Sequence, residues 1–378
     1  MGSQKIQFSQ DPKDEFFEVV KEKVDQYFKE NQLSRHATAG TVIKVVFIFL
    51  ILVASYAIII SNRLNAWQML PFAIMIPLCS TLLIYNVAHD AVHNTFSKHR
   101  WVNNMLFTLS FGLIGDNGNL WKLRHIQSHH HYVNMPDLDI DIEVISLLRF
   151  SDKWEHKSYH RYQHIYAPFI YLFYSLYWVT VSDFKYLFKD QILNLVIVRN
   201  PRKEFMIWIA AKIFYYSAFI VIPIMVLSIP WWQVLVGFVI AHAVNSMFIL
   251  TALIGTHLFE DASWTWPDEN GLVSDQGWAV HQVENCQDYS IKNRFVTGIL
   301  GGENTHTAHH LFPRVAHSHY IPITQIVKEE ALKYGVNYHE STLPKSIASH
   351  FRMLKRFGKA PQVARSNSNT IQQEAIAS

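Results

Sequence analysis

A chain of 378 residues in which half are hydrophobic, 14% aromatic and only 17% charged is too apolar for an ordinary soluble domain. Its formal charge of +3 is too small to argue for a nucleic-acid partner, but it suits basic residues facing an anionic membrane surface. The two cysteines, Cys79 and Cys286, exclude a disulfide framework and lack metal-ligand spacing, so the chain reads as cytosol-facing.

Residues 1–40 read as an N-terminal cytosolic amphipathic segment. The polar opening from Met1 to Gln32 carries no secretory signal. After an alternating run at Ile6, Gln7, Phe8 and Ser9, an amphipathic helix is expected from about Asp14 to Glu30. Phe17, Val20, Val24, Tyr27 and Phe28 fall at helical spacing, so it should lie on the membrane surface or on the catalytic domain.

A membrane domain is expected over 41–358. Its first span, 41–61, is nearly all apolar apart from Lys44; a polar turn leads to a second span, 67–88, which contains Pro71 and Pro77. Leu106 to Ile114 is apolar but too short to cross, so a buried or re-entrant helix is expected. Pro136, Asp137, Asp139 and Asp141 break the chain after the second histidine cluster. His156 to Tyr186 is strongly aromatic; it has the makings of a third span but reads as an interfacial helix ended by Asp183 and Lys185. Spans 206–228 and 231–256 follow, joined at Ile229 and Pro230, with Lys212 placed to snorkel.

Four spans in two hairpins bring His89, the cluster at 125–131, His257 and the cluster at 306–310 to one face; five would not. Lys98, Arg100, Lys122, Arg124, Arg199, Arg202, Lys203 and Arg294 lie on that side, against Arg63 on the other, which places the histidine face in the cytosol. Trp67, Trp231 and Trp232 anchor the far interface, and residues 359–378 read as a disordered polar tail.

His89 with His93, His125 with His129, and His306 with His309 and His310 each share a helical face. Neutral imidazole ligates iron, zinc, copper and nickel. Three clusters offer more ligands than a four-coordinate zinc needs, so a polynuclear site with two metals is expected over surface or pH-sensing histidines. Nitrogen ligation beside a membrane suits iron, dioxygen activation and hydrogen abstraction from an unactivated methylene; a hydrolytic site would mix in carboxylates. Asp90 is expected to orient a ligand, and Glu143 is also near. Asp137, Asp139 and Asp141 are expected in caps, turns or ion pairs with Arg124 and Lys122. His257 is read as a ligand because parity delivers it to the metal face. His242 is read as structural, His281 stays open between ligand and orienting residue, and His131 is excluded. His156, His160 and His164 read as an interfacial stripe.

His89-Asp90-Ala91-Val92-His93, Trp121-Lys122-Leu123-Arg124-His125 through His129-His130, and Gly301-Gly302-Glu303-Asn304-Thr305-His306-Thr307-Ala308-His309-His310-Leu311-Phe312-Pro313-Arg314 resemble the three histidine boxes of the membrane fatty acid desaturases. The stretches from His160 to Pro168 and from Val24 to Glu30 are similar to segments of that family, in its bacterial linoleoyl-CoA-desaturase-like or front-end branch. The resemblance spans roughly 5–355.

It implies an all-α integral membrane fold: four transmembrane helices under a cytosolic helical cap that holds a diiron site. The implied iron ligands are His89, His93, His125, His129, His130, His306, His309 and His310, with His257 the extra histidine; Asn304 is a possible neighbour. It also implies dioxygen as co-substrate, an acyl chain carried by CoA, acyl carrier protein or phospholipid, and a cis double bond as product. A separate ferredoxin or cytochrome b5 donor and a bacterial inner membrane complete the expectation. Many front-end members have Gln where this chain has His306, and the fused cytochrome b5 domain of many eukaryotic members does not fit in 1–40. A hydroxylase, ketolase or acetylenase on the same scaffold, or a non-catalytic membrane receptor or scaffold, are the alternatives.

Overall fold

The computed structural model describes residues 6–9, 15–142, 146–182, 184–185, 188–193, 195–196, 201–273 and 276–360. Asp14, Glu143, Asp183, Tyr186, Arg199 and the polar tail beyond 360 lie outside the described residues.

Among the described residues, four helices are long and apolar enough to cross a membrane: Ala39–Ile60, Ala66–Val92, Arg202–Val226 and Trp231–His257. At 1.5 Å per residue, even the 22-residue first helix reaches about 33 Å, which exceeds the ~30 Å of a bilayer core. Each runs somewhat past its sequence-based limits on at least one end. Thr38 starts the first by accepting the Thr41 N–H at 3.3 Å. Asn65 and Gln68 start the second with reciprocal 3.1 Å capping bonds. Ile48 and Leu52 of the first helix pack on Cys79, Leu83 and Val87 of the second. Ile59, Met69, Ile76, Leu227 and Val234 close the end remote from the histidines.

The second helix widens into a π turn at Ile84–Ala88, immediately before His89. Asn86 explains it: its side-chain amide donates to the Leu82 and Ile299 carbonyls, each at 2.8 Å, and so enters the helical ladder. A second π turn spans His125–His129. Such turns recur at functional sites because they re-aim side chains.

Shorter helices form a second layer. Glu15–Glu30 buries Phe16, Val20, Val24 and Phe28 against Val280 and Val283, Ala308 and Leu311, and Ile323 and Val327. It therefore lies on the segments that carry the third cluster. The run at Ile6–Ser9 forms a two-residue strand, Gln7–Phe8, parallel to Leu272–Val273. Gln287–Tyr289 pairs in parallel with His339–Ser341.

Three expectations are corrected. The aromatic stretch is not one helix: Ser158–Tyr171 and Tyr174–Ser182 meet at 67°. The Ser175 N–H leaves the helical ladder for the Ser246 Oγ of the last long helix, at 2.9 Å, which anchors the bend. Ile165, Phe169, Phe173, Tyr177 and Val181 stay exposed along it, while Ala167, Tyr171, Ser175 and Val179 turn inward. The Arg100–Leu113 helix is only half buried: Phe107 and Phe111 face in, and Trp101, Met105 and Leu109 face out. Lys212 does not snorkel. It is buried and donates to the Val179 carbonyl at 2.5 Å, in the π turn Trp178–Ser182.

Candidate metal centre

The three clusters, which lie far apart in sequence, meet in one place. They sort into two groups whose ligand atoms lie within 4.8 Å of one another: His89, His93, His125 and His309, then His129, His257, His306 and His310. His130 joins the first, its Nε2 3.0 Å from that of His125.

Local helix geometry decides the sorting. A π turn brings residues five apart together, so His125 pairs with His130 (ring centroids 4.4 Å apart) and His129 turns to His257 at 4.7 Å. The expected His125–His129 partnership is thereby split. The short helix His306–Leu311 is split likewise: His306 and His310 enter the second group, and His309 enters the first beside His89, with centroids 4.1 Å apart.

Most of these rings are held from behind through Nδ1. His89 Nδ1 lies 3.1 Å from the Glu303 carboxylate, and His129 Nδ1 donates to Asp139 at 3.2 Å. His257 donates to the Asn285 carbonyl at 2.9 Å, His310 to Gln282 Oε1 at 2.8 Å and His309 to the Tyr320 hydroxyl at 3.1 Å. Their Nε2 atoms point inward. Those of His89 and His93 lie 3.2 Å from His125 Nε2. The buried Nε2 atoms of His257, His309 and His310 have no protein partner.

That arrangement tests whether a metal fits. Neutral imidazole has one donor and one acceptor nitrogen. In the five rings whose Nδ1 faces an acceptor (His89, His129, His257, His309 and His310), Nε2 is a lone pair, and lone pairs turned into a shared buried space are unsatisfied and repulsive. A cation in each group resolves both problems, and the all-imidazole donor set suits transition metals. The residues fit a two-metal centre.

For six of the nine imidazoles the electrostatics agree. Burial and then neighbouring imidazoles hold His125, His130, His306, His309 and His310 well below the ordinary histidine range; for His93 burial is followed by His89 and Lys122. They are therefore neutral and ready to ligate. His129 is the exception. Burial acts to lower it, but Asp139, then Asp141 and Glu303, raise it to about 9. Burial pushes the Glu303 carboxyl up to about 8, with His129 opposing and Asp90 adding; a cation bound in either group would draw it back to a carboxylate and displace the His129 proton.

A cavity of about 710 Å³ starts at His89, His125, His129, His257 and His306 and runs between the long helices. Ile84, Tyr85, Phe111, Ile249 and Leu253 line it, and it reaches Met69, Leu227 and Val234. Its wall is mainly apolar; Thr81, Asn245, Ser175 and His242 are among its polar groups, and Arg124, Asp141, Lys185 and Glu303 are its charged ones. His242 is structural, as expected: the Tyr215 hydroxyl holds Nε2 at 2.7 Å and Ser175 Oγ holds Nδ1 at 2.9 Å.

Other expected residues fall elsewhere. The Asp90 carboxylate does not hold a clustered imidazole; it accepts the His317 N–H at 3.1 Å and Nδ1–H at 2.8 Å. His281 is in neither group, since its Nε2 donates to the Val133 carbonyl at 2.8 Å and its Nδ1 faces Gln276 and Asn285. Asn304 braces a loop by donating to the Tyr289 carbonyl and Thr297 Oγ1, at 2.8 and 3.0 Å. His131 is exposed and bonded to the Ile126 carbonyl. His156 and His160 are not a free stripe: they bond the Gly358 and Ser146 carbonyls. Asp141 pairs with Arg124 at 3.3 Å, as expected; Asp139 accepts the Asn134 and Asp141 N–H groups at 3.0 Å, as expected of a turn, and also orients His129. Sequence reasoning missed Glu303, Gln282, Tyr320 and Asn285. Glu303 was findable as the lone acid three residues before His306; nothing in the sequence marks the other three.

The fatty acid desaturase family model matches residues 65–342. The chain is 29% identical to an sn-1 linoleoyl-lipid 6-desaturase of Arthrospira platensis over 348 residues, which is 92% of this chain and 94% of that protein. It is 28% identical to the protein of the same name from Synechocystis sp., over 95% of this chain and 99% of that one. An acyl-lipid (8-3)-desaturase of Mortierella alpina is 27% identical over 92% of this chain and 78% of its own length. With the family model covering most of its length, the chain belongs to the fatty acid desaturase family.

Proposed function

We propose that this desaturase inserts a cis double bond into a lipid-linked acyl chain, using two irons held by nine histidines. His89, His93, His125, His130 and His309 would hold one iron, and His129, His257, His306 and His310 the other. The observation that carries the reading is the apolar cavity that opens onto both groups. It accepts a chain, keeps water from it, and presents its methylenes to the metal face.

Iron bound there supplies the oxidising power. The two-electron, two-proton removal of adjacent hydrogens is joined by two electrons and two protons from outside, so that dioxygen leaves as two waters. The protein's own part is positional. Asp139, Glu303, Gln282, Tyr320 and the Asn285 carbonyl keep Nδ1 protonated and Nε2 turned inward. The outside electrons come from a separate ferredoxin or cytochrome b5 type donor.

A lipid-linked substrate is supported by the relatives, named for linoleoyl-lipid and acyl-lipid. It is also supported by the exposed apolar stripe on the bent helix pair that borders the cavity. We read the four long helices as two hairpins under a cytosolic cap, in a bacterial inner membrane. The 4.7 Å between the rings of His129 and His257 supports this, because the chain between them must then cross an even number of times. On that count the bent pair is not a fifth crossing.

Lipid profiling of a host expressing the chain, with a His309→Ala control, tests the function. A new cis-unsaturated acyl species that the control lacks is expected. A hydroxylated species in its place would overturn the desaturation outcome.

A further inference from the structure

One buried carboxyl group touches both histidine groups. Glu303 Oε1 lies 3.1 Å from His89 Nδ1, and Oε2 lies 3.6 Å from His306 Nδ1. His89 belongs to the first group and His306 to the second. The buried His306 Nδ1 makes no hydrogen bond, so this 3.6 Å ion-pair contact is looser than the one to His89. The contacts behind His129, His257, His309 and His310 each serve one of these imidazoles, through Asp139, Asn285, Tyr320 and Gln282.

The backbone places Glu303 between the two. Gly301 and Gly302 take positive φ values of 60° and 82°. A Cβ on Gly301 would stand 2.4 Å from the Tyr85 carbonyl oxygen, so only glycine lets this loop press against the helix that carries His89. The Thr305 hydroxyl, bonded to the Gly302 carbonyl at 2.6 Å, and Asn304 brace the far side of the loop.

The chemistry favours one group serving two rings. An imidazole that offers Nε2 to a metal carries its proton on Nδ1, and a carboxylate there fixes tautomer and ring angle and raises donor strength. A carboxylate has two acceptor oxygens; an amide has one. We propose that Glu303 is a positioning residue shared by the two metals, each oxygen orienting a ligand of a different group, so that loading of the two sites is coupled. This rests on the two-metal reading above but not on the acyl chemistry.

The test uses full-length protein in detergent, stripped of metal and titrated with cobalt(II) alone. The readouts are cobalt per chain and its ligand-field absorption. Wild type is expected to bind two. Glu303→Gln should weaken both sites, more at the site with His89; contacts of this kind are worth roughly 10–100-fold in metal affinity. Asp139→Asn, at a residue that holds His129 alone among the nine imidazoles, should weaken one of the two sites. A Glu303→Gln protein that binds two cobalt ions as tightly as wild type, with unchanged spectra, overturns the proposal, as does weakening at a single site. Wild type that takes up no second cobalt would instead sink the two-metal reading. If Glu303→Gln does not fold, His89→Ala and His306→Ala decide the matter. Each should shift the spectrum of the cobalt in the other group, and an undisturbed second cobalt in both would show that the sites are independent.

Discussion

His257 is the histidine least announced by any local motif, so its removal probes the account hardest. It ends the last long helix, its Nδ1–H is bound to the Asn285 carbonyl at 2.9 Å, and its buried Nε2 has no protein partner. The ring lies 4.7, 4.5 and 4.8 Å from those of His129, His306 and His310. His257→Ala takes one of four imidazoles from the second group. Changes behind a ligand typically cost roughly 10–100-fold, so loss of the ligand itself should lower product formation by about 100-fold or more. One iron per chain should also be lost. The control is His242→Gln on the same helix, fifteen residues earlier and therefore about 22 Å away. It breaks hydrogen bonds to Tyr215 and Ser175, for about 1–3 kcal/mol of stability, and should keep its iron. Iron by elemental analysis and acyl products are compared at matched expression. Full iron and activity in His257→Ala, or iron loss confined to His242→Gln, would refute the assignment.

Three further outcomes follow from packing and charge. A Cβ on Gly255 would meet Ser346 Oγ at 1.7 Å, so Gly255→Ala should lower the melting temperature and Ser346→Gly should restore it, as thermal unfolding of the single and double variants would reveal. Gly237 lines the cavity and a Cβ there meets nothing within 4 Å, so Gly237→Phe should shift products toward shorter acyl chains, read by mass spectrometry of extracted lipids. Burial acts to raise Glu330, but its bonds to Lys23 and Lys333 outweigh that and hold it below its ordinary 4.5. Its contribution to stability is therefore present above about pH 4.5 and lost as pH falls through the lower folded value. Glu330→Gln should flatten that acid-side decline in melting temperature, and an unchanged decline would contradict the assignment.

The long helices and the histidine clusters were legible in the sequence because each carries a strong periodic or compositional signal. Runs of about twenty apolar residues leave little alternative to a span. Pairs of histidine at three- and four-residue spacing announce a shared face. What escaped was set by departures from regular helix. The π turn at His125–His129 sends neighbouring histidines to different groups, and no 3.6-residue pattern encodes it. The bend between Tyr171 and Tyr174 depends on Ser246, which is remote in sequence. Asp90 looked like the orienting acid because it adjoins His89, yet along a helix adjacent side chains point apart, and it faces His317. Glu303 takes that role from a loop that only two positive-φ glycines allow.

On the proposed reading, imidazoles alone hold two irons at the head of the cavity. The most direct test is elemental analysis of protein purified from iron-replete cells, paired with acyl-product formation before and after chelation and iron return. The account predicts about two irons per chain, as a two-metal centre requires, with activity lost on chelation and regained with iron. Stoichiometric zinc with no iron, together with product formation that does not depend on iron, would contradict it.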